Sequence, residues 1–366
     1  MEAPPQHRAA AGRDRATHRP GRRPAREGRR GRRAIAAVAV TGATSWGATL
    51  AWLLARNGHH VRLLSRTPAE AATIGASRRV PRMPSLELPD AVSSTAEPAA
   101  ALVGTDALVI AVPSRAVREN ARRFREALAP RTLVVHGVKG IERESGKRVS
   151  QLLLEELPQL TPAGICALSG PNLAPEIARG LPAATVVAAT DPAATARAQA
   201  LLHAPAFRVY TSADLVGVEL AGALKNIIAL AAGIADGLGY GDNAKAGIIT
   251  RGLAEITRLG VAAGADAATF AGLAGLGDVV ATCYSPLSRN RTAGEELARG
   301  SSTEALLERN SGVIEGIDAT AAACGLARRL GVEMPIAEAL REVLFEGAAP
   351  AALIRRLLER EPKEER

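Results

Sequence analysis

The feature that most constrains the fold is an alternation of short apolar segments and helical patterns through the first half of the chain. The segments are continuously apolar, which predicts a mostly parallel sheet that is covered on both faces. The predicted strands are Ala34–Thr41, His60–Leu64, Ala107–Val112, Thr132–Val138, Ile165–Leu168, Thr185–Ala189 and Phe207–Tyr210. Predicted helices include Trp46–Asn57 and Pro192–Leu202, the latter with Asp191 as its N-cap.

The pattern of the sequence changes near Thr211. From Asp214 to about Leu358 the sequence shows helical periodicity and no convincing strand. This change predicts an α/β domain of residues 34–211, followed by an all-helical domain of residues 214–358. A short charged tail follows the helical domain.

The formal net charge of +9 is concentrated in residues 1–33. This segment contains eleven arginines and three acidic residues, so the rest of the chain is nearly neutral and gives no reason to expect nucleic-acid binding. Its Arg, Pro, Gly and Ala content cannot bury enough apolar surface to fold, which predicts a disordered extension. An arm that contacts polyanions, a targeting peptide and a dispensable extension are all open, and we favour the last. No apolar stretch marks a secretory signal.

Cysteine and histidine usage predicts neither disulfide bonds nor a metal site. Cys166, Cys283 and Cys324 are widely spaced, and the six histidines show no metal-ligand spacing. This usage is typical of a reducing compartment, and we expect a cytoplasmic protein. No run of about 18 apolar residues occurs, so no membrane span is predicted.

A glycine-rich turn follows the first predicted strand and opens the first predicted helix. Gly42 and Gly47 match the first and third glycines of G-x-G-x-x-G, a turn that lets a helix N-terminus bind the pyrophosphate of a dinucleotide. Thr44 replaces the middle glycine and weakens the match, but the strand–turn–helix context supports it. The sequence therefore predicts a dinucleotide-binding site.

The second predicted strand is followed by Ser65 and Arg66. A carboxylate near this position usually binds the ribose hydroxyls of NAD, whereas an arginine suits the 2′-phosphate of NADP. Ser65 and Arg66 therefore favour NADP, or at least tolerate it. The alternative is that Arg66 is a solvated loop residue.

Lys225 lies inside the apolar stretch Val216–Ala232, which predicts a buried helix. Burial favours the neutral amine and is expected to lower the pKa of Lys225 toward the range of a working proton donor or acceptor. The alternative is a lysine that extends to the surface or pairs with a carboxylate such as Glu219. The polar residues downstream favour the catalytic interpretation.

Further polar residues follow predicted strands and loops, where a ligand cleft is expected. They are Ser114 after Val112-Pro113, Lys139 before Gly140, the turn Ser169–Asn172, Asp278 after a glycine-rich apolar segment, and the cluster Ser288–Arg291. Lys139 is a candidate contact to an anionic substrate, or else a surface lysine. The two arginines of Ser288–Arg291 suit phosphate recognition, although such clusters are also common at a solvated helix start.

Taken together, these segments resemble the bacterial type of NAD(P)-dependent glycerol-3-phosphate dehydrogenase. The matches occur in order and are G-A-T-S-W-G (42–47), V-P-S (112–114), V-K-G-I-E (138–142), L-S-G-P-N (168–172), L-K-N-I (224–227), N-A-K-A (243–246), G-L-G-D (275–278), S-R-N-R (288–291) and V-I-E-G (313–316). The resemblance implies reduction of dihydroxyacetone phosphate to sn-glycerol 3-phosphate for phospholipid synthesis, with NADP(H) or NAD(H) as cofactor. It also implies a homodimer with a Rossmann-type domain followed by an all-α domain, a fold like that of 6-phosphogluconate dehydrogenase.

The resemblance further implies roles for individual residues. Lys225 would be the proton donor and acceptor at the carbinol oxygen of the substrate. Substrate binding would involve Lys139, Gly170, Asn172, Asn226, Asp278, Ser288, Arg289 and Asn290. Cofactor binding would involve Gly42, Ser45, Trp46, Gly47, Arg66, Lys139, Ala174, Arg289, Val313 and Glu315. Two positions depart from the family, because Thr44 stands where glycine is usual and Asn172 where Ser or Thr is usual.

Two other functions fit parts of the sequence. A hydroxyacid dehydrogenase shares the plan of a dinucleotide domain and a helical domain, but Ser288–Arg291 favours a substrate with a phosphate over one with a carboxylate. A non-catalytic nucleotide-binding protein, tethered to nucleic acid by residues 1–33, is supported only by Thr44 and by that arginine-rich segment.

Overall fold

The structure is a computed structural model that describes residues 35–309, 313–352 and 354. The predicted disordered extension, residues 1–33, lies outside the described residues. So does the charged C-terminal tail, and these two predictions therefore remain predictions.

Eight of the ten strands in the described residues form one large sheet, which is parallel with a single exception, and the other two, β3 and β4, form a separate antiparallel hairpin. The strands are β1 (Ala37–Thr41), β2 (His60–Leu64), β3 (Arg79–Val80), β4 (Met83–Glu87), β5 (Val92–Thr95), β6 (Ala107–Ile110), β7 (Leu133–His136), β8 (Ile165–Ser169), β9 (Ala183–Ala188) and β10 (Phe207–Ser212). The order in the large sheet is β10-β9-β8-β7-β6-β1-β2-β5, and only β8 and β9 pair in antiparallel fashion within it. The mostly parallel sheet that the sequence predicts is confirmed.

The helices follow the strands along the chain and dominate its second half. They are α1 (Ser45–Arg56), α2 (Pro68–Ser77), α3 (Pro98–Leu102), α4 (Val117–Phe124), α5 (Val149–Glu156), α6 (Ala174–Ala178), α7 (Pro192–Leu202), α8 (Leu215–Gly237), α9 (Gly241–Ala262), α10 (Ala267–Ala271), α11 (Asp278–Tyr284), α12 (Arg289–Ala298), α13 (Thr303–Arg309), α14 (Glu315–Leu330) and α15 (Pro335–Phe345). From α8 onward the described residues form helices and no strand. The predicted change of pattern is confirmed, whereas the division into two domains stays a prediction.

The strand order reverses between β1 and β6, at the centre of the sheet. The chain passes from β1 to β2 and β5 on one side and then returns to β6, β7 and β8 on the other. A switch point of this kind opens a crevice at the carboxyl ends of the strands, where open α/β sheets bind their ligands. The glycine-rich turn follows β1 and Lys139 follows β7, so both lie at this edge.

Helices cover both faces of the sheet, as the continuously apolar strands require. Apolar side chains of α1, α6 and α7 pack on one face, and those of α3, α4 and α5 pack on the other. Alternate residues of β1 divide between the faces, because Val38 and Val40 belong to the first cluster and Ala39 to the second. Both faces of the sheet are thereby buried against helices.

Two elements have the predicted bounds and others differ at their ends. Both β2 and α7 begin and end where predicted, and Asp191 caps α7 by accepting a hydrogen bond from the N–H of Ala193 at 2.9 Å. β6 ends at Ile110 and β7 at His136, earlier than predicted, because the chain leaves the hydrogen-bonded ladder there. The β3–β4 hairpin and the edge strand β5 escape prediction, since their sequences carry few consecutive apolar residues.

The long helix α8 forms the centre of the helical part and is almost wholly buried. Helices α9, α11, α12 and α14 pack around it. By length and composition alone α8 could cross a membrane, but 94% of that window is buried inside the fold. This burial is the environment of a core helix, and the length and composition of one such helix are weak evidence for a membrane span.

Candidate active site

The glycine-rich turn has a backbone that requires glycine at two positions. Gly42 has φ of +102°, and a Cβ atom there would lie 2.7 Å from the carbonyl oxygen of Ala111. A Cβ on Gly47 would lie 1.9 Å from the carbonyl oxygen of Gly42. The tight turn and the close packing of α1 on β1, both expected of the dinucleotide motif, therefore occur here.

Thr44 occupies the position of the middle glycine without backbone strain. It is extended, with φ of −95° and ψ of 169°, and it is the N-cap of α1. Its Oγ1 accepts a hydrogen bond from the N–H of Gly47 at 3.0 Å and donates one to the carbonyl of Ala111 at 2.9 Å. The side chain is thus directed into the cap and toward the end of β6.

We expect the substitution Thr44→Val to lower the free energy of unfolding by about 1 kcal/mol, because it removes the N-cap acceptor of α1 at nearly constant shape. Urea unfolding followed by circular dichroism measures the change. Thr73→Val, in the exposed part of α2, is the control, since Thr73 only donates to the carbonyl of Ala69. Equal unfolding midpoints for the two variants would show that the Thr44 hydrogen bonds contribute nothing.

Unsatisfied donors at the start of α1 fit a phosphate-bearing cofactor. The first intrahelical hydrogen bond is donated by Ala48 to Thr44, so the N–H groups of Ser45 and Trp46 precede the helical ladder. The indole Nε1 of Trp46 is buried and has no hydrogen-bond partner among the described residues. Because a buried donor without a partner costs free energy, a ligand acceptor at this place would stabilise the site. The residues present therefore fit a dinucleotide.

A buried carboxylate joins two lysines at the carboxyl edge of the sheet. The Nζ of Lys225, on α8, donates to Oδ1 of Asp278 at 2.5 Å and to Oγ1 of Thr282 at 2.6 Å. The Nζ of Lys139 donates to the other oxygen, Oδ2 of Asp278, and to the carbonyl of Gly170, each at 2.7 Å. Lys225 and Asp278 are 6% and 2% exposed, so this ion pair is largely removed from water.

The surroundings of Lys225 shift its pKa in the direction that the sequence predicts. Burial lowers the pKa of Lys225 to about 8, with Asp278 acting to raise it and the charge of Lys139 acting to lower it. The alternative partner is not used, since Glu219 accepts hydrogen bonds from Ser150 and Arg148 instead. Lys225 therefore has the pKa expected of a proton donor that works near neutral pH.

Thr282 is a site residue that the sequence analysis did not single out. It lies four residues after Asp278 on α11, so both side chains are on one face of the helix. Its hydroxyl lies 3.2 Å from Oδ1 of Asp278 and accepts from Lys225. The i, i+4 spacing was the available signal, but a threonine in an apolar segment is common and carries little information alone.

Two candidate substrate amides belong to one buried hydrogen-bond chain. Gly316, at the start of α14, donates its N–H to Oδ1 of Asn290, and Asn290 donates to Oδ1 of Asn226. Asn226 in turn donates to the carbonyl of Lys139 at 3.1 Å. The chain ties α14, α12 and α8 to the loop after β7, and it fixes the orientation of both amides beside the lysine pair.

Glu315 joins the helical part of the chain to the end of β6. Its carboxylate accepts hydrogen bonds from the N–H of Ser114 at 3.0 Å and from the Ser114 hydroxyl at 2.5 Å. Burial raises the pKa of Glu315, while these bonds and the charge of Arg289 lower it. Arg289 is exposed at the start of α12, and its positive charge favours the ionised form of Glu315.

The remaining candidates have local roles in the structure. Ser288 caps α12 by accepting from the N–H of Arg291 at 3.2 Å, and Gly170 has φ of +140° in the turn after β8. Asn172 donates to Oγ1 of Thr185, while its own Oδ1 is buried without a partner among the described residues. The others are placed by their elements: Ala174 begins α6, Val313 precedes α14, and Arg66 follows β2 with an exposed side chain.

The described residues contain no group of three His, Cys, Asp or Glu side chains that could hold a metal ion. The candidate site contains two lysines and a buried carboxylate, and it lies at the same sheet edge as a turn that fits a dinucleotide. The structure has a turn suited to a pyrophosphate at the switch point of the sheet. Asp278 links Lys225, whose pKa is lowered, to Lys139 at the same sheet edge. This arrangement is typical of an NAD(P)-dependent oxidoreductase.

Comparison with known proteins assigns the family. Residues 37–195 match the family described as the N-terminus of NAD-dependent glycerol-3-phosphate dehydrogenase, and residues 214–355 match its C-terminus. The chain belongs to this family, and the resemblance drawn from the motifs is confirmed.

Curated relatives cover almost the whole of the described part. Glycerol-3-phosphate dehydrogenase [NAD(P)+] of Chlorobium luteolum is 47% identical over 329 residues, which are 89% of this chain and 98% of that protein. The protein of the same name from Streptomyces avermitilis is 45% identical over 328 residues, 89% of this chain and 97% of its own. These relatives confirm an NAD(P)-dependent enzyme of this family.

Solved structures show the same fold. Glycerol-3-phosphate dehydrogenase from Coxiella burnetii is similar with a TM-score of 0.85 and 36% identity, over 89% of this chain and 99% of that one. A ketopantoate reductase from Ralstonia eutropha is similar with a TM-score of 0.55 at 20% identity, over 88% of this chain and 99% of that one. The second likeness concerns the fold alone.

Proposed function

We propose that the protein catalyses the NAD(P)H-dependent, reversible reduction of dihydroxyacetone phosphate to sn-glycerol 3-phosphate, and that it supplies glycerophospholipid synthesis. The observation that carries this proposal is the Lys225–Asp278–Lys139 cluster at the carboxyl edge of the sheet. The cluster combines an acid of lowered pKa with a second cation in a chain that belongs to the glycerol-3-phosphate dehydrogenase family.

Lys225 is the proposed proton donor in the reduction. A bound reduced nicotinamide supplies the hydride that the carbonyl carbon accepts. Negative charge then develops on the carbonyl oxygen, where the ammonium of Lys225 stabilises it and delivers the proton. General acid catalysis of this kind contributes about 10²–10⁴-fold, and an electrostatic donor in a dry site about 3–4 kcal/mol. Asp278 holds the amine in place and favours its charged form.

The proposed substrate contacts surround this cluster. Arg289 and Asn290 suit the phosphate, because a guanidinium binds phosphate oxygens in bidentate fashion and the amide is already oriented. Lys139, Asn226 and the turn at Gly170, which are linked by hydrogen bonds, would contact the reacting end of the substrate. The Oδ1 of Asn172, which has no partner among the described residues, would accept from a substrate hydroxyl. Ser288 completes the set at the start of α12. Binding of the remote phosphate would position the carbonyl for reaction.

The proposed cofactor contacts extend from the turn after β1 to α14. The pyrophosphate would bind at Gly42–Gly47, where Ser45 and Trp46 present their N–H groups. Lys139, Arg289, Val313 and Glu315 would contact the nicotinamide half, and Ala174 packs beside α1, where its carbonyl accepts from Thr49 at 3.4 Å. Arg66 would contact the 2′-phosphate of NADP.

We expect Arg66→Ala to weaken NADPH binding about tenfold or more and to leave NADH binding within about twofold, since only NADPH carries the 2′-phosphate. Isothermal titration of both cofactors measures the change. Arg56→Ala is the control, because Arg56 lies at the far end of α1 and stacks on Trp52. An equal loss for both cofactors would contradict a contact to the 2′-phosphate.

The direct test of the proposed function is an assay of dihydroxyacetone phosphate reduction with NADPH and with NADH, followed by the absorbance of the reduced nicotinamide. A 2-keto acid offered in parallel distinguishes a hydroxyacid dehydrogenase. Turnover of the phosphate ester alone supports the proposal. Turnover of the keto acid alone, or of neither substrate, contradicts it, and the last result would favour a non-catalytic nucleotide-binding protein.

We further propose that the enzyme is a cytoplasmic homodimer with the two domains that the sequence predicts. The support is the family to which the chain belongs. Light scattering on the purified protein determines the oligomeric state, and fractionation of the source cells determines the location.

A further inference from the structure

The β3–β4 hairpin lies directly on the start of α1. Val80 and Met83 are buried in the same apolar cluster as the α1 side chains and anchor the hairpin on either side of its exposed tip. At that tip the carbonyl of Arg82 accepts a hydrogen bond from Oγ of Ser45 at 2.7 Å. Ser45 is the first residue of α1, so the backbone of Arg82 is fixed at the helix N-terminus.

Arg82 differs in its pairing from Arg78, which directly precedes the hairpin, and from Arg79, which begins it. The Arg78 guanidinium binds the carbonyl of Leu88 and lies 3.1 Å from Asp90. Arg79 donates to Glu87 at 2.7 Å. The guanidinium of Arg82 is exposed and makes no hydrogen bond or ion pair with any residue in the described ranges.

The turn beside Arg82 offers fewer N–H groups than a turn with glycine at position 44. The N–H of Gly47 is occupied by the hydroxyl of Thr44, so in the first turn of α1 only the N–H groups of Ser45 and Trp46 are left for a phosphate. A pyrophosphate that binds only at the N–H groups of Ser45 and Trp46 would keep part of its negative charge uncompensated. A cation at the first residue of α1 would compensate that charge.

We propose that Arg82 is a second cationic contact to the cofactor, and that it binds the pyrophosphate at the N-terminus of α1. It is distinct from Arg66, which lies at the end of β2 and is proposed to contact the 2′-phosphate. Arg82 therefore strengthens the binding of NADPH and NADH alike. It compensates for the N–H of Gly47, which donates to Thr44 and is not available to the pyrophosphate. The inference rests on the proposed function only in taking the ligand to be a nicotinamide dinucleotide.

Titration calorimetry of the full chain with two fragments tests this assignment. Adenosine 5′-diphosphate carries a pyrophosphate, whereas adenosine 2′-monophosphate carries only a 2′-phosphate. We expect Arg82→Ala to weaken adenosine 5′-diphosphate, NADH and NADPH by about tenfold and to leave adenosine 2′-monophosphate unchanged. Arg66→Ala is expected to show the opposite pattern for the two fragments. Arg82→Lys keeps the charge and is expected to recover most of the affinity.

The matched control is Arg79→Ala, which removes an arginine of the same hairpin that is already paired with Glu87. The assignment is overturned if Arg82→Ala binds adenosine 5′-diphosphate as tightly as Arg79→Ala does. It is also overturned if the loss is confined to adenosine 2′-monophosphate and NADPH. Fragment binding is independent of turnover. If Arg82→Ala loses affinity for adenosine 5′-diphosphate but the parent protein does not reduce dihydroxyacetone phosphate, only the proposed function is rejected.

Discussion

Lys225→Ala is expected to lower kcat for dihydroxyacetone phosphate reduction by about 10²–10⁴-fold, because the variant lacks the acid that protonates the carbonyl oxygen. The binding of NADPH is expected to stay within about twofold of the parent, since the nucleotide contacts proposed above lie on other residues. Steady-state kinetics and titration of NADPH give the two quantities. The contrast between them separates a catalytic role from a general loss of structure.

The control for this variant is a second buried lysine. Lys245 is 4% exposed, donates to Asp236 at 2.8 Å and lies over the ring of Tyr284, so its removal costs similar packing and pairing. We expect Lys245→Ala to lower the melting temperature and to retain most of kcat. If Lys225→Ala keeps near-normal turnover, the assignment of Lys225 as proton donor is wrong.

Asp278→Asn is expected to shift the pH dependence of kcat/KM for the reduction toward lower pH. The pKa of Lys225 is about 8 with the carboxylate present, because burial lowers it, Asp278 raises it and Lys139 acts in the same direction as burial. Without the carboxylate the amine loses its proton at lower pH, and the acid required for reduction is then absent at neutral pH. A shift of one to two pH units lowers kcat/KM by about 10–100-fold above the new pKa.

The pH profile of kcat/KM is the appropriate measurement because it reports groups of the free enzyme. Asp236→Asn is the matched control, since Asp236 also bridges two cations, Lys245 and Arg291, at 2.8 Å each. This control is expected to destabilise the protein without moving the pH profile. A profile that is unchanged in Asp278→Asn would show that Asp278 does not set the protonation of Lys225.

The architecture of the sheet is predictable from the sequence because its signal is local. The central strands, such as Ala107–Ile110 and Leu133–His136, are short, continuous apolar runs. His60–Leu64 keeps its predicted bounds, whereas the edge strand β5 lacks this signal. The glycine-rich turn is predictable for the same reason, since Gly42 and Gly47 are required by the backbone within one segment. The resemblance to the family adds the order of distant motifs, which local patterns cannot supply.

The pairing within the site is not predictable, because it depends on contacts between distant segments. The carboxylate that pairs with Lys225 belongs to Asp278, 53 positions away in the sequence. The local candidate, Glu219, binds Ser150 and Arg148 instead. The link between Ser114 and Glu315 spans 201 positions. Hydrophobic periodicity places such side chains on buried faces but does not identify their partners.

Thr44 shows how a departure from a motif is explained only by structure. The sequence raises doubt about the pyrophosphate turn, because glycine at this position normally permits a close approach of the ligand. The structure shows an extended backbone and a hydroxyl that caps α1, so no positive φ is required. The hairpin that brings Arg82 to Ser45 could not be foreseen either, since its strands carry a weak pattern.

The central claim is that the amine of Lys225 protonates the carbonyl oxygen of the substrate. A crystal structure of the protein with NADP+ and sn-glycerol 3-phosphate tests it most directly. We expect Nζ of Lys225 to lie about 2.6–3.2 Å from the C2 hydroxyl oxygen, with the phosphate at Arg289 and Asn290. A structure in which both ligands are bound and Nζ points away from that oxygen would contradict the account.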